Sequence, residues 1–397
     1  MISRRHARLC AAAALISVLV GVAPAHADQV QFTISGSTQM YTLGQLMAQQ
    51  YTTVNNQVNI SVEPTSGQIG FDSTCSHSVA LGMSDNYIQD SQSNEPGCND
   101  MENIPIAVSA TVAVYNLPGA YFSAFDPKAA YNPQTKKYSV DHFTRLHPVH
   151  LTAAVIAGIY SCQIKMWNDK AIQSLNPGMP LPAQQIHAFS STEPGGSGFI
   201  FNQWLALSVP SWQKAVGITL LPAWPVGCSV GVSSSGAMVT SLENTQYSLG
   251  FVGFDFAIQN ANGMAVIEAA ALKNASGYFV TPSLNGLSQA IGDQLQARKM
   301  GQNFRTPFVT VLGKDAFNPA CFEFLLVHQN LRATGLPMDR ELAVKNFLSW
   351  TISDTGGQQY IEAADLRQVG GDLHIGDIPV PPEIRAAAAT LVKNIVL

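Results

Sequence analysis

From residue 30 onward a β-branched run, an amphipathic stretch and a second β-branched run follow in order, and no other feature limits the fold as strongly. Val30 to Ile34 reads as a strand, and Val58 to Val62 reads as another. Between them, Tyr41 to Thr53 carries Leu43, Leu46, Met47 and Tyr51 at helical spacing. Strand, helix and strand in that order make a βαβ unit, which implies a parallel sheet with helices on its faces. The alternation continues along the chain. Ile104 to Tyr115 is a β-branched run, Leu151 to Tyr160 and Phe199 to Val216 are expected helices, and Leu249 to Val252 and Phe308 to Leu312 are expected strands. Arg340 to Thr351 is a further expected helix. An α/β fold is therefore expected. At 397 residues the chain exceeds the usual single core, so two domains are expected. With no internal repeat and no low-complexity linker, they should share several short crossings.

The N-terminus has the plan of an export signal. Arg4, Arg5 and Arg8 precede an apolar run from Leu9 to Val22, and Ala25-His26-Ala27 matches a small-residue cleavage site. Residues 1–27 are read as a signal peptide. Loss of three arginines and no acid makes the remaining chain more acidic than the formal −5 of the whole. Charged residues are only 12% of the chain, about half the usual 25%, while hydrophobic residues at 46% are ordinary. Disorder is excluded by that hydrophobic content, and the absence of a basic run argues against nucleic acid as a partner. After cleavage five cysteines remain. In an oxidising compartment Cys75 with Cys98 is the first expected pair and Cys162 with Cys228 the second, leaving Cys321 over. Metal binding competes with this reading, but no Cys/His ligand spacing supports it.

Three loops of hydroxyl residues and glycine follow strands. Ser35-Gly36-Ser37-Thr38 precedes the helix near Met40, and Pro64-Thr65-Ser66-Gly67 follows the strand ending at Val62. Glu193-Pro194-Gly195-Gly196-Ser197-Gly198 precedes the helix at Phe199. Each fits an ordinary helix cap or turn. Each also fits an anion site made of backbone N–H groups at a helix N-terminus, where α/β sheets bind ligands.

The stretch Ile159-Tyr160-Ser161-Cys162-Gln163-Ile164-Lys165-Met166-Trp167-Asn168-Asp169-Lys170-Ala171-Ile172 resembles the substrate-binding protein of bacterial phosphate ABC transporters. That family consists of type II periplasmic binding proteins. Further similar segments are Val79 to Asp85, Asn116-Leu117-Pro118-Gly119, Leu249-Gly250-Phe251-Val252, Lys345 to Trp350 and Ile378-Pro379-Val380-Pro381, in the family's order. The resemblance implies two α/β lobes with the ligand cleft between them. Lobe I would be 28–117 with 306–397, and lobe II 118–305. It also implies phosphate or a related oxyanion as ligand, an inner-membrane ABC permease as partner, a monomer and no cofactor or metal.

Carried over by position, the ligand residues are Thr38, Gln39, Thr65, Asp85, Ser191, Gly195, Gly196 and Ser197. Asp85 would accept a proton-bearing ligand oxygen, although a helix cap after Ser84 is also open to it. Ser191 stands where the family has an arginine, and no lysine or arginine lies between Lys170 and Lys214. A charge-assisted contact to the anion is thus missing. Two other functions compete with transport: a secreted phosphate-ester hydrolase, and a binding or adhesion protein that has lost transport. For hydrolysis the available histidine cluster is His142, His147 and His150 beside Asp141, in a segment that reads as a surface hairpin insertion around Asn132 to Tyr138. Trp204, Trp212 and Trp224 are expected to pack rather than to stack on ligand.

Overall fold

The computed structural model describes residues 29–117, 131–132, 137–138, 148–259, 267–296, 304–305, 308–365 and 376–397. The expected signal peptide, and Asp141, His142 and His147, lie outside these residues. In chain order come β1 (Val30–Gly36), α1 (Tyr41–Val54), β2 (Val58–Pro64), α2 (Gly67–Cys75), β3 (Leu81–Ser84), α3 (Asp90–Ser93) and β4 (Met101–Asn116). Next are β5 (Tyr131–Asn132), β6 (Lys137–Tyr138), β7 (His150–Leu151), α4 (Ala153–Tyr160), α5 (Lys170–Gln173), β8 (His187–Ser191), α6 (Gly196–Ser208), α7 (Pro210–Ala215), β9 (Val230–Val232), α8 (Ser235–Asn244) and β10 (Ser248–Gly253). The chain ends with α9 (Phe254–Gln259), β11 (Glu268–Ala269), β12 (Ala271–Lys273), β13 (Phe279–Val280), α10 (Leu284–Gln296), β14 (Ala320–His328), α11 (Met338–Thr351), α12 (Gly357–Asp365), β15 (Ile378–Pro379) and α13 (Pro382–Lys393).

The main sheet runs β2-β1-β3-β14-β4-β10-β8-β9. Its two outer trios are parallel: β2, β1 and β3 on one side, β10, β8 and β9 on the other. Between them β14 and β4 run antiparallel to each other and to the strands they adjoin. This is a two-lobed α/β architecture joined by a pair of crossing strands. The buried side chains divide in the same way. One core holds Phe32, Leu43, Leu46, Met47 and Phe347, and the other holds Tyr160, Trp167, Phe201, Trp204 and Phe251. Along β4, Ile104, Ile106 and Ala107 belong to the first core, and the buried apolar side chains from Val108 to Tyr115 belong to the second. At that point the ladder slips: Ala107 pairs with Glu323 and Pro105 with Phe324, leaving Ile106 as an extra residue. Pro105 has no N–H to give, so a bulge is where a central strand can hold it. The Ile106 carbonyl accepts instead from Gln358 Nε2 at 2.9 Å.

Several expectations change in detail. The helix expected over Phe199 to Val216 divides at Val209, which is extended at φ −131 before Pro210 opens α7. A proline disfavours helical backbone in the residue before it, and Pro210 at the first position of α7 restarts the helix. Phe308 to Leu312 is turn and coil rather than strand. Phe308, Val309 and Val311 are buried without a ladder, Phe308 meeting Phe322 edge-on at 4.8 Å, while Leu312 is exposed. The strand of this region is β14, which lies further on. The Trp-Asn-Asp motif is structural: Trp167 is fully buried and its Nε1 donates to the Tyr247 carbonyl at 2.9 Å, while Asp169 caps α5. Tyr131–Asn132 and Lys137–Tyr138 pair antiparallel, as a hairpin requires.

Cys75 is bonded to Cys98 and Cys162 to Cys228, and Cys321 is free and buried. The sequence separations are 23 and 66 residues. Chain-entropy arguments give about 3 kcal/mol for the shorter loop and about 4 for the longer. Denaturant unfolding of Cys75→Ser/Cys98→Ser and Cys162→Ser/Cys228→Ser variants should show losses in that order. A thiol titration of residues 28–397 should count one free sulfhydryl, and only after unfolding.

Candidate functional site

Every parallel strand of the main sheet ends at the same place. The chain leaves β1 at Gly36, β2 at Pro64, β3 at Ser84, β8 at Ser191, β9 at Val232 and β10 at Gly253, and the loops after β1, β2, β8 and β9 meet in a small cleft of about 30 Å³. Four helices begin there. Ser66 caps α2 by accepting from the Ile69 N–H, and Ser234 caps α8 by accepting from the Ala237 N–H. Neither α1 nor α6 has a side-chain cap. The first-turn N–H groups of a helix have no acceptor within the helix, and the dipole adds partial positive charge at that end.

The β1–α1 loop is shaped by close approach. A Cβ on Gly36 would run into the Met83 carbonyl, so β3 lies directly against this loop. The Ser37 N–H donates to that carbonyl at 3.0 Å, and the Gln39 N–H donates to Ser37 Oγ at 3.2 Å. Ser37 and Thr38 line the cleft, while Gln39 is buried behind them. On the far side the β8–α6 loop turns through two glycines with left-handed backbone, Gly195 at φ +83 and Gly196 at φ +61. A Cβ on Gly195 would lie 2.7 Å from Asn86 Oδ1, which instead accepts from the Gly196 N–H at 3.1 Å. Two further hydrogen bonds span the cleft, Ser197 Oγ to Gln39 Oε1 and Thr38 Oγ1 to Ser235 Oγ at 3.3 Å.

Asp85 follows β3 directly and is fully buried. The segment from Asp85 to Gln89 is non-helical, so the residue is no helix cap. Both carboxylate oxygens lack a hydrogen-bond partner among the described residues. Each would lie 3.5 Å from a Cβ placed on Gly196, so the carboxyl faces the glycine turn. Burial pushes it up to about 6, against a smaller pull downward from its own N–H and the Ser37 hydroxyl. Glu193, half-buried on the opposite wall, is pushed up to about 7 by burial and by the charge of Asp85.

Of the residues carried over from the sequence, Thr38, Ser191, Gly195, Gly196 and Ser197 line the cleft, with Asp85 and Gln39 buried around it. Thr65 turns its hydroxyl away, 3.1 Å from Ser35 Oγ, and Ser66 and Gly67 line the cleft instead. Ser191 ends β8, where its Oγ accepts from the Glu193 N–H at 3.1 Å and its carbonyl accepts from Trp224 Nε1 at 3.0 Å. No lysine or arginine is among the described lining residues. The start of α8 escaped the sequence reading, although Ser233-Ser234-Ser235-Gly236 after Val230–Val232 has the same hydroxyl-glycine pattern as the other loops. His150 is away from the cleft, stacked on Phe279 at 4.2 Å.

Behind Gln39 lies a set of buried acids that no local spacing announces: Asp255, Glu323 and Asp377. All are held well above the ordinary carboxylate range, first by burial and, for Asp255 and Glu323, next by repulsion from Asp377. The effect on stability follows directly. Raised acids bind more protons folded than unfolded, so their stability is full below about pH 4 and is lost as pH rises. The loss starts near pH 4 and is complete by about 6 for Asp85, running on to about 8 for Asp377. Thermal midpoints of the ligand-free protein should fall between pH 5 and 8, and Asp377→Asn should flatten that fall.

Comparison with known proteins matches the profile described as the PBP superfamily domain to residues 22–355. The Phosphate-binding protein PstS of Xylella fastidiosa strain 9a5c is 23% identical over 365 residues, covering 91% of this chain and 85% of that protein. A subatomic-resolution structure of a high-affinity periplasmic phosphate-binding protein (PfluDING), with phosphate bound, matches at a TM-score of 0.62 and 15% identity. It covers 92% of this chain and 93% of that one. A phosphate ABC transporter substrate-binding protein from Clostridium perfringens matches at a TM-score of 0.53 and 12% identity, over 88% of this chain and all of that one.

Proposed function

The chain belongs to the PBP superfamily, and from that membership and the cleft we propose that it is an exported solute-binding protein that captures phosphate or a related oxyanion. The observation that carries this reading is the cleft itself. Four helix N-termini and a set of hydroxyls converge on one small cleft, and the buried Asp85 carboxyl faces Gly196 of its lining. Neutral donors fixed in advance can replace the hydration shell of an anion. The relatives named as phosphate-binding proteins support the choice of ligand.

In this reading Thr38, Ser66 and Ser197 give hydroxyls, and the first turns of α2 and α6 give backbone N–H groups. Asp85 accepts a hydrogen bond from a protonated ligand oxygen and repels an oxyanion that has none, such as sulfate. The protein is a binding protein rather than an enzyme, works as a monomer, and delivers its ligand to an inner-membrane ABC permease. Lobe I comprises 28–117 and 306–397, lobe II comprises 118–305, and the crossing strands β4 and β14 form the hinge on which they close.

Phosphate at a thousandfold excess over its Kd should stabilise the mature chain by about 4 kcal/mol, read as a rise in thermal midpoint. No rise with phosphate, arsenate or phosphonates overturns the assignment. Asp85→Asn should bring sulfate and phosphate affinities together, and unchanged discrimination refutes the role of Asp85. Gly196→Ala, which forces a left-handed residue against that carboxyl, should weaken phosphate binding at least tenfold by calorimetry.

A further inference from the structure

Glu193 is a second carboxyl in a cleft that the reading above assigns to an anion. Its position is set by the fold. It follows Ser191 by two residues at the end of β8, its N–H is tied to Ser191 Oγ, and it lines the cleft that Asp85 borders. The neighbouring elements bring no opposite charge. The β1–α1 loop presents Ser37 and Thr38, the start of α2 presents Ser66 and Gly67, and α8 presents Ser234 and Ser235. Among the described residues Asp85 is the charged group that bears on Glu193, and the buried acids Asp255, Glu323 and Asp377 behind Gln39 bring no cation to offset it. In the family the resemblance points to, a cation stands at the place of Ser191, and among the described lining residues nothing offsets a carboxylate.

We propose that Glu193 enters the captured complex as a protonated carboxyl that donates a hydrogen bond to the oxyanion, so that capture takes up a proton from solvent. The inference rests on the oxyanion reading. An ionised Glu193, Asp85 and an anion cannot meet at one small cleft without mutual repulsion, and a single proton converts one repelling group into a donor. The two acids then act in opposite senses. Asp85 accepts from the ligand and Glu193 gives to it, a division of labour that a pair of unequal carboxyl environments permits. The group's upward shift, to about 7, keeps that proton within reach near neutral pH. No bond in the ligand is made or broken, and the ligand's own proton stays with it.

The test is calorimetry of the mature protein with inorganic phosphate at pH 8, in buffers of different ionisation enthalpy, which counts protons exchanged. Wild type should take up close to one proton more than Glu193→Gln. Between pH 7 and 9 its affinity should fall up to tenfold more per pH unit than that of the variant. Glu193→Gln, a permanent neutral donor, should bind at pH 8 at least as tightly as wild type. Glu193→Ala should lose the extra pH slope and bind more weakly than Glu193→Gln, because the donor is gone as well as the charge. Equal proton uptake in wild type and Glu193→Gln, with phosphate binding intact in both, overturns this inference alone. It is also overturned if 2-aminoethylphosphonate is preferred to ethylphosphonate and Glu193→Gln removes that preference, since Glu193 would then meet a ligand cation as a carboxylate. Absence of phosphate binding in every variant and in wild type overturns the oxyanion reading beneath it.

Discussion

The pairing of β4 with β14 is the contact on which the two lobes depend. All nine residues of β14 find partners along β4, and both strands contribute side chains to both hydrophobic cores. Were the ladder regular, the crossing would be a stiff ribbon. It carries instead a bulge at Ile106, held open by Pro105 and closed off by Gln358, close to where the buried side chains change core. A bulge bends its strand and increases local twist, and here that lets one sheet serve two cores. The same irregularity sits beside Glu323, so the buried acids gather around the crossing rather than within either core.

The cleft inherits its chemistry from strand direction. Three strands of each lobe run parallel and end together, so each lobe offers the starts of its helices to the other. The lobes then meet through small polar contacts: Asn86 with Gly196, Gln39 with Ser197, and Thr38 with Ser235. None of these involves a formal charge. Such neutral hydrogen bonds contribute modestly, about 1 kcal/mol each, so the closed arrangement is one that a ligand can bias.

Much of this was legible in the residues. The first βαβ unit, the glycine-hydroxyl loops, both cysteine pairs and Asp85 at a strand end follow from periodicity, spacing and the family resemblance. The one-residue difference between Thr65 and Ser66 was not legible, because successive residues leaving a strand point to opposite sides and only the register decides which one faces the cleft. β14 was missed for a related reason: Ala320–His328 is buried on both faces, so it lacks the alternation that marks a strand. Asp255, Glu323 and Asp377 are far apart in sequence, and nothing local ties them together. Phe308 to Leu312 shows the opposite failure, an apolar run that packs without pairing.

A site lined by hydroxyls and N–H groups differs from one lined by arginines before the ligand arrives as well as after. Dipoles act over a few ångströms, whereas net charge acts over a Debye length, about 8 Å in physiological salt. Among the described residues the ionisable groups at this cleft, Asp85 and Glu193, are carboxyls rather than cations, so an approaching anion is not steered inward and meets mild repulsion until it touches the loops. Added salt screens that repulsion. The encounter rate should therefore hold steady or rise with ionic strength, the reverse of what a cationic binding site shows.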